Sequence, residues 1–300
     1  MSRNSNIVDC GFRSVISSVC ELCEWASAER RSGKRIGLVP TMGNLHDGHI
    51  SLIRQASLEC DSIIVSIFVN PMQFGKGEDY NSYPRTLNND VQLIDGLGLE
   101  CMYRVFVPEV SDMYPDGFNS VVKVGGVTES LEGKCRPTHF DGVTTVVLKL
   151  FNIARADAAY FGQKDYQQVC VVRKMTADLN LPIEIVTCPI VRDQSGLALS
   201  SRNAYLTDQQ KKQATSIHQS LLLAENIIVN EKCRNVETIT NAIKNKILNA
   251  DNAEIDYIAV ADPITLNELK SIENHKKIII LIAAKISNTR LIDNKIISIQ

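Results

Sequence analysis

The chain of 300 residues is 44% hydrophobic, enough to bury one large core or two smaller ones, and we expect two domains. Its 32 lysines and arginines nearly cancel its 34 aspartates and glutamates, so no global field holds it on nucleic acid or on an anionic membrane. A small-molecule partner is favoured, and apolar runs such as Ile278 to Ala284 fall far short of the ~20 residues that cross a bilayer, which predicts a soluble chain.

Residues 1–30 scatter Arg3, Asp9, Arg13, Glu21, Glu24, Glu29 and Arg30 among apolar positions, without the apolar core of a secretory signal, and read as mature structure. A helix is predicted from Phe12 to Arg31, ending near Gly33. It carries Cys20 and Cys23, a C-x-x-C spacing open to metal or redox use. No second ligand pair accompanies it, and Val15, Ile16, Val19, Leu22 and Trp25 follow helical spacing, which favours plain packing. Nine cysteines, an odd number without a framework, fit reduced thiols in a cytoplasmic protein.

Ile36 to Val39 reads as a short strand that breaks at Pro40, followed by a helix over His49 to Cys60 and a strand buried on both faces over Ile63 to Val69. A helix near Leu87 to Leu97 leads to a strand at Cys101 to Val107 and then to a loop rich in Pro, Asp and Tyr. The alternation continues with a helix over Val143 to Ala154, a strand over Ala158 to Phe161, a helix over Tyr166 to Leu179 and a strand over Ile183 to Thr187. This rhythm predicts an α/β fold with a Rossmann-like, doubly wound parallel sheet in residues 1–190. From Val191 to Tyr205 the chain is polar and reads as linker and lid. Helices over Thr207 to Val229 and Val236 to Leu248, then strands over Ile255 to Val260 and Ile278 to Ala284, predict a smaller α+β lid domain in residues 191–300.

The segment Pro40 to His49 lies between the first strand and the helix after it, where open parallel sheets gather ligands and a helix N-terminus offers free N–H groups to phosphate. Gly43 and Gly48 permit close backbone approach, and His46 and His49, three residues apart, can donate to the same anionic oxygens. Two blander uses stay open: one histidine caps the helix while the other is exposed, or the pair ligates a metal, although no further ligand is obvious nearby. Gly162-Gln163-Lys164-Asp165 likewise follows a strand and opens a helix, with Lys164 as a mobile point charge or as half of a surface pair. Gln73 and Gln168 are amides that can both donate and accept, though Gln73 also fits ordinary loop polarity and Gln168 a polar helix start.

His46-x-Gly48-His49 resembles the H-x-G-H signature of the nucleotidyltransferase superfamily, and Pro40 to His49 as a whole resembles the pantothenate synthetase family. Val69-Asn70-Pro71-Met72-Gln73-Phe74, Tyr83-Pro84-Arg85-Thr86, Phe161 to Gln168 and Leu199-Ser200-Ser201-Arg202-Asn203 are similar to that family's remaining motifs in the same order, so the match spans nearly the whole chain. The resemblance implies that pantoate is joined to beta-alanine at the expense of ATP, through a pantoyl-adenylate, in a homodimer. It also implies an ATP site lined by Met42, Gly43, Asn44, Leu45, His46, Asp47, Gly48 and His49, with His49 a catalytic proton donor and His46 a phosphate contact. Gly162 and Asp165 would meet the ribose, Gln163 would supply a backbone contact, and Lys164 would meet the phosphates. Val191 would touch adenine through its backbone, while Leu199, Ser200, Ser201 and Arg202 would complete the site, the last three closing over the leaving phosphates. Gln73 and Gln168 would hold pantoate.

Mg2+ is expected with ATP, since a hard cation bridges phosphate oxygens. No direct metal ligand is assigned, and Asp90 is a candidate outer-shell contact. Three features depart from the family pattern: Asn88 and Asn89 ahead of Asp90, Thr138 and Asp141 around His139-Phe140, and Gln163 in place of an acidic residue. Competing readings are another H-x-G-H nucleotidyltransferase with a different acceptor, disfavoured for tRNA by the charge balance, and an ATP-binding protein without turnover, disfavoured by the retained histidines and Lys164.

Overall fold

The computed structural model describes residues 14–299, so the expected helix start at Phe12 and the reading of residues 1–13 lie outside the described residues. Where a helix was expected from the outset, Val15–Ile16 instead forms a short strand, β1, and the helix α1 covers Val19–Arg31. The local reason is Ser18, whose hydroxyl accepts from the Glu21 amide as an N-cap, so the two β-branched residues ahead of it are free to pair as an edge strand. Within α1, Cys23 is half buried and directs its thiol at the Ile153 carbonyl, whereas Cys20 is exposed and faces Glu24, so only one of the two packs.

The alternation then runs β2 (Ile36–Thr41), α2 (Asp47–Glu59), β3 (Ser62–Ile67), α3 (Leu87–Asp95) and β4 (Met102–Phe106). Two four-residue helices, α4 (Val110–Met113) and α5 (Glu132–Cys135), lead to α6 (His139–Ala154), β5 (Ala158–Gly162), α7 (Tyr166–Asp178) and β6 (Glu184–Cys188). These strands build one parallel sheet in the order β1-β4-β3-β2-β5-β6, which reverses direction between β2 and β5. Every residue of β3 is buried, because helices cover both faces.

Pro40 does not end its strand. The β2–β3 ladder runs on to Thr41↔Ile67, whereas the β2–β5 ladder stops after Leu38↔Ala159. Ile36 directs its carbonyl toward β5, where the Asp157 amide meets it, so Pro40, in the same phase, would aim its missing N–H where the ladder has already ended. Beyond Leu38 and Ala159 the two strands part, and the crevice of a doubly wound sheet opens there.

Helix α6 starts at His139, four residues before the expected Val143. Gly142 masks the pattern and has a packing reason: a Cβ there would lie 2.3 Å from the Met72 carbonyl oxygen, so the helix start can rest on the 3-10 turn Pro71–Gln73 only because the side chain is missing. Thr138, one of the departures from the family pattern, sits at φ −100°, a conformation open to any residue.

The second body holds α8 (Asp208–Val229), α9 (Val236–Leu248) and an antiparallel sheet of β7 (Ala253–Ala261), β8 (Lys277–Ile286) and β9 (Thr289–Ser298). Strand β9 was not expected, because Arg290, Asp293, Asn294 and Lys295 interrupt its apolar pattern. Alternation explains the apolar run of β8: Ile278, Ile280, Ile282 and Ala284 enter the core under α8 and α9, while Ile279 and Leu281 join the core of the first body. Among the described residues, no helix is long and apolar enough to cross a membrane.

Replacing Gly142 by alanine should force the α6 start away from Met72 and lower the unfolding free energy by about 1 to 3 kcal/mol, the usual cost of overpacking. Denaturant midpoints measure this, and a variant as stable as the parent would show that the contact relaxes freely.

Candidate active site

The loop after β2 is shaped by a buried carboxylate. Gly43 and Asn44 turn the chain at φ +81° and +51°, and the amides of Asn44 and Leu45 then donate to the two oxygens of Asp90 at 2.9 and 2.8 Å. Thr86 adds its hydroxyl to the same carboxylate at 3.2 Å. Asp90 is 1% exposed, and its oxygens are spent on this backbone. The Asp90 carboxylate, expected as an outer-shell Mg2+ contact, anchors the loop through both of its oxygens. Gly43 suits the approach, since a Cβ would lie 3.1 Å from Asp90 Oδ2.

The loop delivers His46 to the N-cap of α2 and His49 to its first turn. His46 Nδ1 accepts from the Gly48 amide at 3.1 Å, and His49 Nδ1 accepts from the His46 amide at 3.3 Å, a reciprocal capping box made of imidazoles. An accepting Nδ1 leaves the proton of the neutral ring on Nε2. The rings lie 4.1 Å apart at 39°. Burial, then the Lys164 charge, pulls His46 down to about 4; burial, then His46 and Lys164, pulls His49 down to about 3. Both are neutral Nε2–H donors at physiological pH, so helix capping and cleft lining are one arrangement rather than alternatives.

Across the crevice, β5 ends in Gly162 and a 3-10 turn Gln163–Asp165. Lys164 is mostly buried and lies 3.7 Å from the Asp165 carboxylate. The third wall is the segment after β6, where Leu199 donates its amide to the Val191 carbonyl at 3.0 Å. Ser200 caps the turn Ser201–Tyr205 by accepting from the Arg202 amide at 3.3 Å, and Ser201 donates to the Asn44 carbonyl at 3.3 Å. Arg202 meets Asp79 with two nitrogens at 3.0 and 3.3 Å. These contacts tie the Ser200–Arg202 segment to the loops after β2 and β3.

A cavity of about 240 Å³ brings together Met42, His46, Gly48, His49, Gly162, Lys164, Asp165, Val191, Leu199, Ser200, Ser201 and Arg202, with Gln73 and Gln168. The remaining expected residues stand behind it. Gly43, Asn44 and Leu45 form the Asp90-anchored turn, Asp47 is exposed on α2, and the Gln163 side chain donates to Asn294 at 3.2 Å.

The structure adds residues not singled out beforehand. Arg136 donates to the Gln73 carbonyl at 3.3 Å and pairs with Glu78 at 2.6 Å, and His139 meets the same Gln73 carbonyl at 2.9 Å. A carbonyl only accepts, so His139 carries its proton on Nδ1, leaving Nε2 for Arg136 at 3.2 Å. Burial, then Arg136, brings His139 down to about 4. Asn70, 1% exposed, ties Gln73 to α6 by donating to the Gln73 amide oxygen and the Gly142 carbonyl, each at 3.1 Å. The available signal was a third of the five histidines lying close to Arg136 and Gly142.

A doubly wound sheet with neutral imidazole donors, a lysine and a Ser-Ser-Arg lid around its switch point defines an enzyme of the nucleotidyltransferase class. The family model described as pantoate-beta-alanine ligase matches residues 14–296. A pantothenate synthetase of Moorella thermoacetica is 46% identical over 286 residues, covering 95% of this chain and 99% of that protein. One of Thermotoga neapolitana is 45% identical, with 94% and 99% covered. Among solved structures, pantothenate synthetase from Thermus thermophilus superposes with a TM-score of 0.86 at 40% identity, covering 94% and 98% of the two chains. The Francisella tularensis pantoate-beta-alanine ligase, solved with beta-gamma ATP and beta-alanine, gives 0.75 at 36%, covering 94% and 96%. This chain belongs to the pantoate-beta-alanine ligase family and is an ATP-dependent ligase of pantoate and beta-alanine.

The three cleft histidines should stay neutral as pH falls from 7 to 5, with His46 and His49 protonated on Nε2 and His139 on Nδ1. Ring-nitrogen chemical shifts of the ligand-free protein report this directly, and an imidazolium signal at pH 6 would contradict the burial argument. Because these rings hold protons less readily folded than unfolded, the unfolded chain binds more protons below about 6.5. Stability should therefore decline as pH drops from about 6.5 through the folded values of about 4 and 3.

Proposed function

We propose that the crevice between β2 and β5 performs the ligation in two steps, with the phosphates of ATP against His46, His49 and Lys164 and pantoate against Gln73 and Gln168. The observation that carries this is the pair of fixed Nε2–H donors facing Lys164 across one cavity, beside two neutral amides. In the first step a pantoate carboxylate oxygen attacks the α-phosphorus, the bond to the bridging oxygen breaks, and pyrophosphate leaves. Charge builds on phosphate oxygens, where pre-oriented neutral donors and one cation stabilise it without reorganising. In the second step the free amine of beta-alanine attacks the acyl carbon, the acyl-oxygen bond breaks, AMP leaves, and the nitrogen loses a proton.

Phe68, Val143, Val147 and Phe161 give the cavity an apolar wall. That wall suits the dimethyl carbon of pantoate, while Gln73, held between Asn70 and Met42, suits its hydroxyls. In the same reading Gly162 and Asp165 meet the ribose, Val191 meets the base through its backbone, and Leu199 completes the ATP site. Ser200, Ser201 and Arg202 form the lid over the leaving phosphates, with Arg202 exchanging Asp79 for phosphate.

Mg2+ would accompany ATP, held mainly by phosphate oxygens and water, where it neutralises charge. Glu78 and Asp79 are held by arginines, whereas Asp165, which lines the cavity, is half exposed beside Lys164 at 3.7 Å and is the carboxylate proposed to meet a metal-bound water. A division of the chain near residue 190, a homodimer and a cytoplasmic setting belong to the same reading. The last is supported by the eight described cysteines, all free. A nucleotide-binding protein without turnover would release no pyrophosphate with any acid.

With ATP, Mg2+ and pantoate but no amine, labelled pyrophosphate should exchange into ATP, and beta-alanine should then discharge AMP. Folded His49→Ala and Lys164→Ala should each slow this exchange about 10- to 1000-fold; near-normal exchange in either would remove that side chain from the phosphate site. Gln73→Ala should raise the pantoate concentration needed while leaving ATP binding nearly unchanged, at a cost of about 0.5 to 1.5 kcal/mol for one neutral hydrogen bond. Exchange that requires beta-alanine would show that adenylation is not a separate step.

A further inference from the structure

Strand β9 reaches the lysine turn from the second body. Asn294 is 2% exposed, and its amide nitrogen donates one hydrogen to the Gln163 carbonyl at 2.9 Å and the other to the Lys164 carbonyl at 3.0 Å. Its oxygen accepts from the Gln163 side-chain Nε2 at 3.2 Å. Both donors and an acceptor of one buried side chain are thus committed to a single three-residue turn. Such a turn has few hydrogen bonds of its own with which to fix where Lys164 emerges.

The neighbouring residue holds the lid. Asp293, 5% exposed, accepts from Arg192 at 2.6 and 2.9 Å, and Arg192 also donates to the Gly196 carbonyl at 3.2 Å. The backbone N–H of Asn294 donates to the Asp293 carboxylate at 2.8 Å, fixing that side chain against the strand that carries Asn294. Successive strand residues face opposite ways, so Asn294 looks toward the first body while Asp293 and Lys295 look the other way, Lys295 meeting Glu225 of α8 at 3.0 Å. One dipeptide therefore grips the turn bearing Lys164 with one face and the root of the Ser-Ser-Arg segment with the other.

We propose that Asn294 is a positioning residue for Lys164, and that with Asp293 it couples the lysine and the lid to the same strand of the second body. This rests on the assignment of Lys164 to the phosphates. Any shift of β9 moves both groups together, and loss of the Asn294 side-chain amide leaves two half-buried carbonyls without this donor and frees the turn. A displacement of about 1 Å at a reacting centre can cost on the order of 100-fold in rate.

The test is a double-mutant cycle on pantoate-dependent pyrophosphate exchange in the full chain, with Asn294→Ala, Lys164→Ala and the double variant. Asn294→Ala should lower kcat about 10- to 100-fold with KM for pantoate little changed. The double variant should be no slower than Lys164→Ala, because the amide acts through the lysine. Asn294→Asp keeps the volume and loses both donors, so it should be at least as slow as Asn294→Ala and carries the test if the alanine variant does not fold. Lys295→Gln, on the opposite face of the same strand, should leave the rate unchanged. Multiplying losses in the double variant, a normal kcat for Asn294→Asp, or an equal loss in Lys295→Gln would each overturn the positioning role while leaving the lysine assignment standing. A normal rate for Lys164→Ala would instead overturn that assignment and the proposal with it.

Discussion

The active cleft depends on where two neighbouring strands stop being neighbours. Strands β2 and β5 share only two rungs, Gly37↔Ala158 and Leu38↔Ala159, before they separate. Parallel strands wound outward in opposite directions leave a crevice at that seam, where each strand still pairs with its outer neighbour but no longer with the other. Pro40 reinforces the separation, since it has no N–H to offer across the gap. The imidazole pair stands on one lip and Lys164 on the other, and neither set has to be carried there by a long loop.

What the seam opens, buried polar side chains then shape. Asp90, Asn70 and Asn294 are each almost fully inaccessible, and each is committed to backbone groups of a segment that bears cleft residues. A buried polar group is costly unless paired, so such residues persist where pairing fixes a geometry that packing alone leaves loose. They come from three separate places, namely α3, the start of the connection after β3, and β9. Alignment of the cleft is consequently a property of both bodies together.

The doubly wound first body was legible because its strands are apolar on both faces and its helices keep their period. The cleft was legible wherever a residue type carries its own chemistry: His46, His49 and Lys164 are conspicuous at strand ends, and the family resemblance supplied Gln73, Gln168 and the serines. Three kinds of information were hidden. Val15 and Ile16 read as the start of a helix because pairing with Val105 and Phe106, some ninety residues on, leaves no local mark. Strand β9 escaped because Arg290, Asp293 and Asn294 break its apolar pattern, and two of them, Arg290 and Asn294, reach across to Glu132 and to the lysine turn of the first body. Asp90 was visible as an acid near the site, but whether a carboxylate faces metal or backbone is decided by tertiary packing that no spacing reveals.

The opposite protonation of the histidines has a further consequence. His46 and His49 are held neutral by burial with Nδ1 occupied, and His139 is neutral with Nδ1 as its donor, so none of the three alters the charge of the cleft over the range in which cells live. The acid side of a turnover profile is then surrendered to a substrate: beta-alanine reacts only as the free amine. An enzyme built in this way takes its proton sensitivity from its nucleophile, and its own imidazoles act as fixed dipoles rather than as a titrating pair.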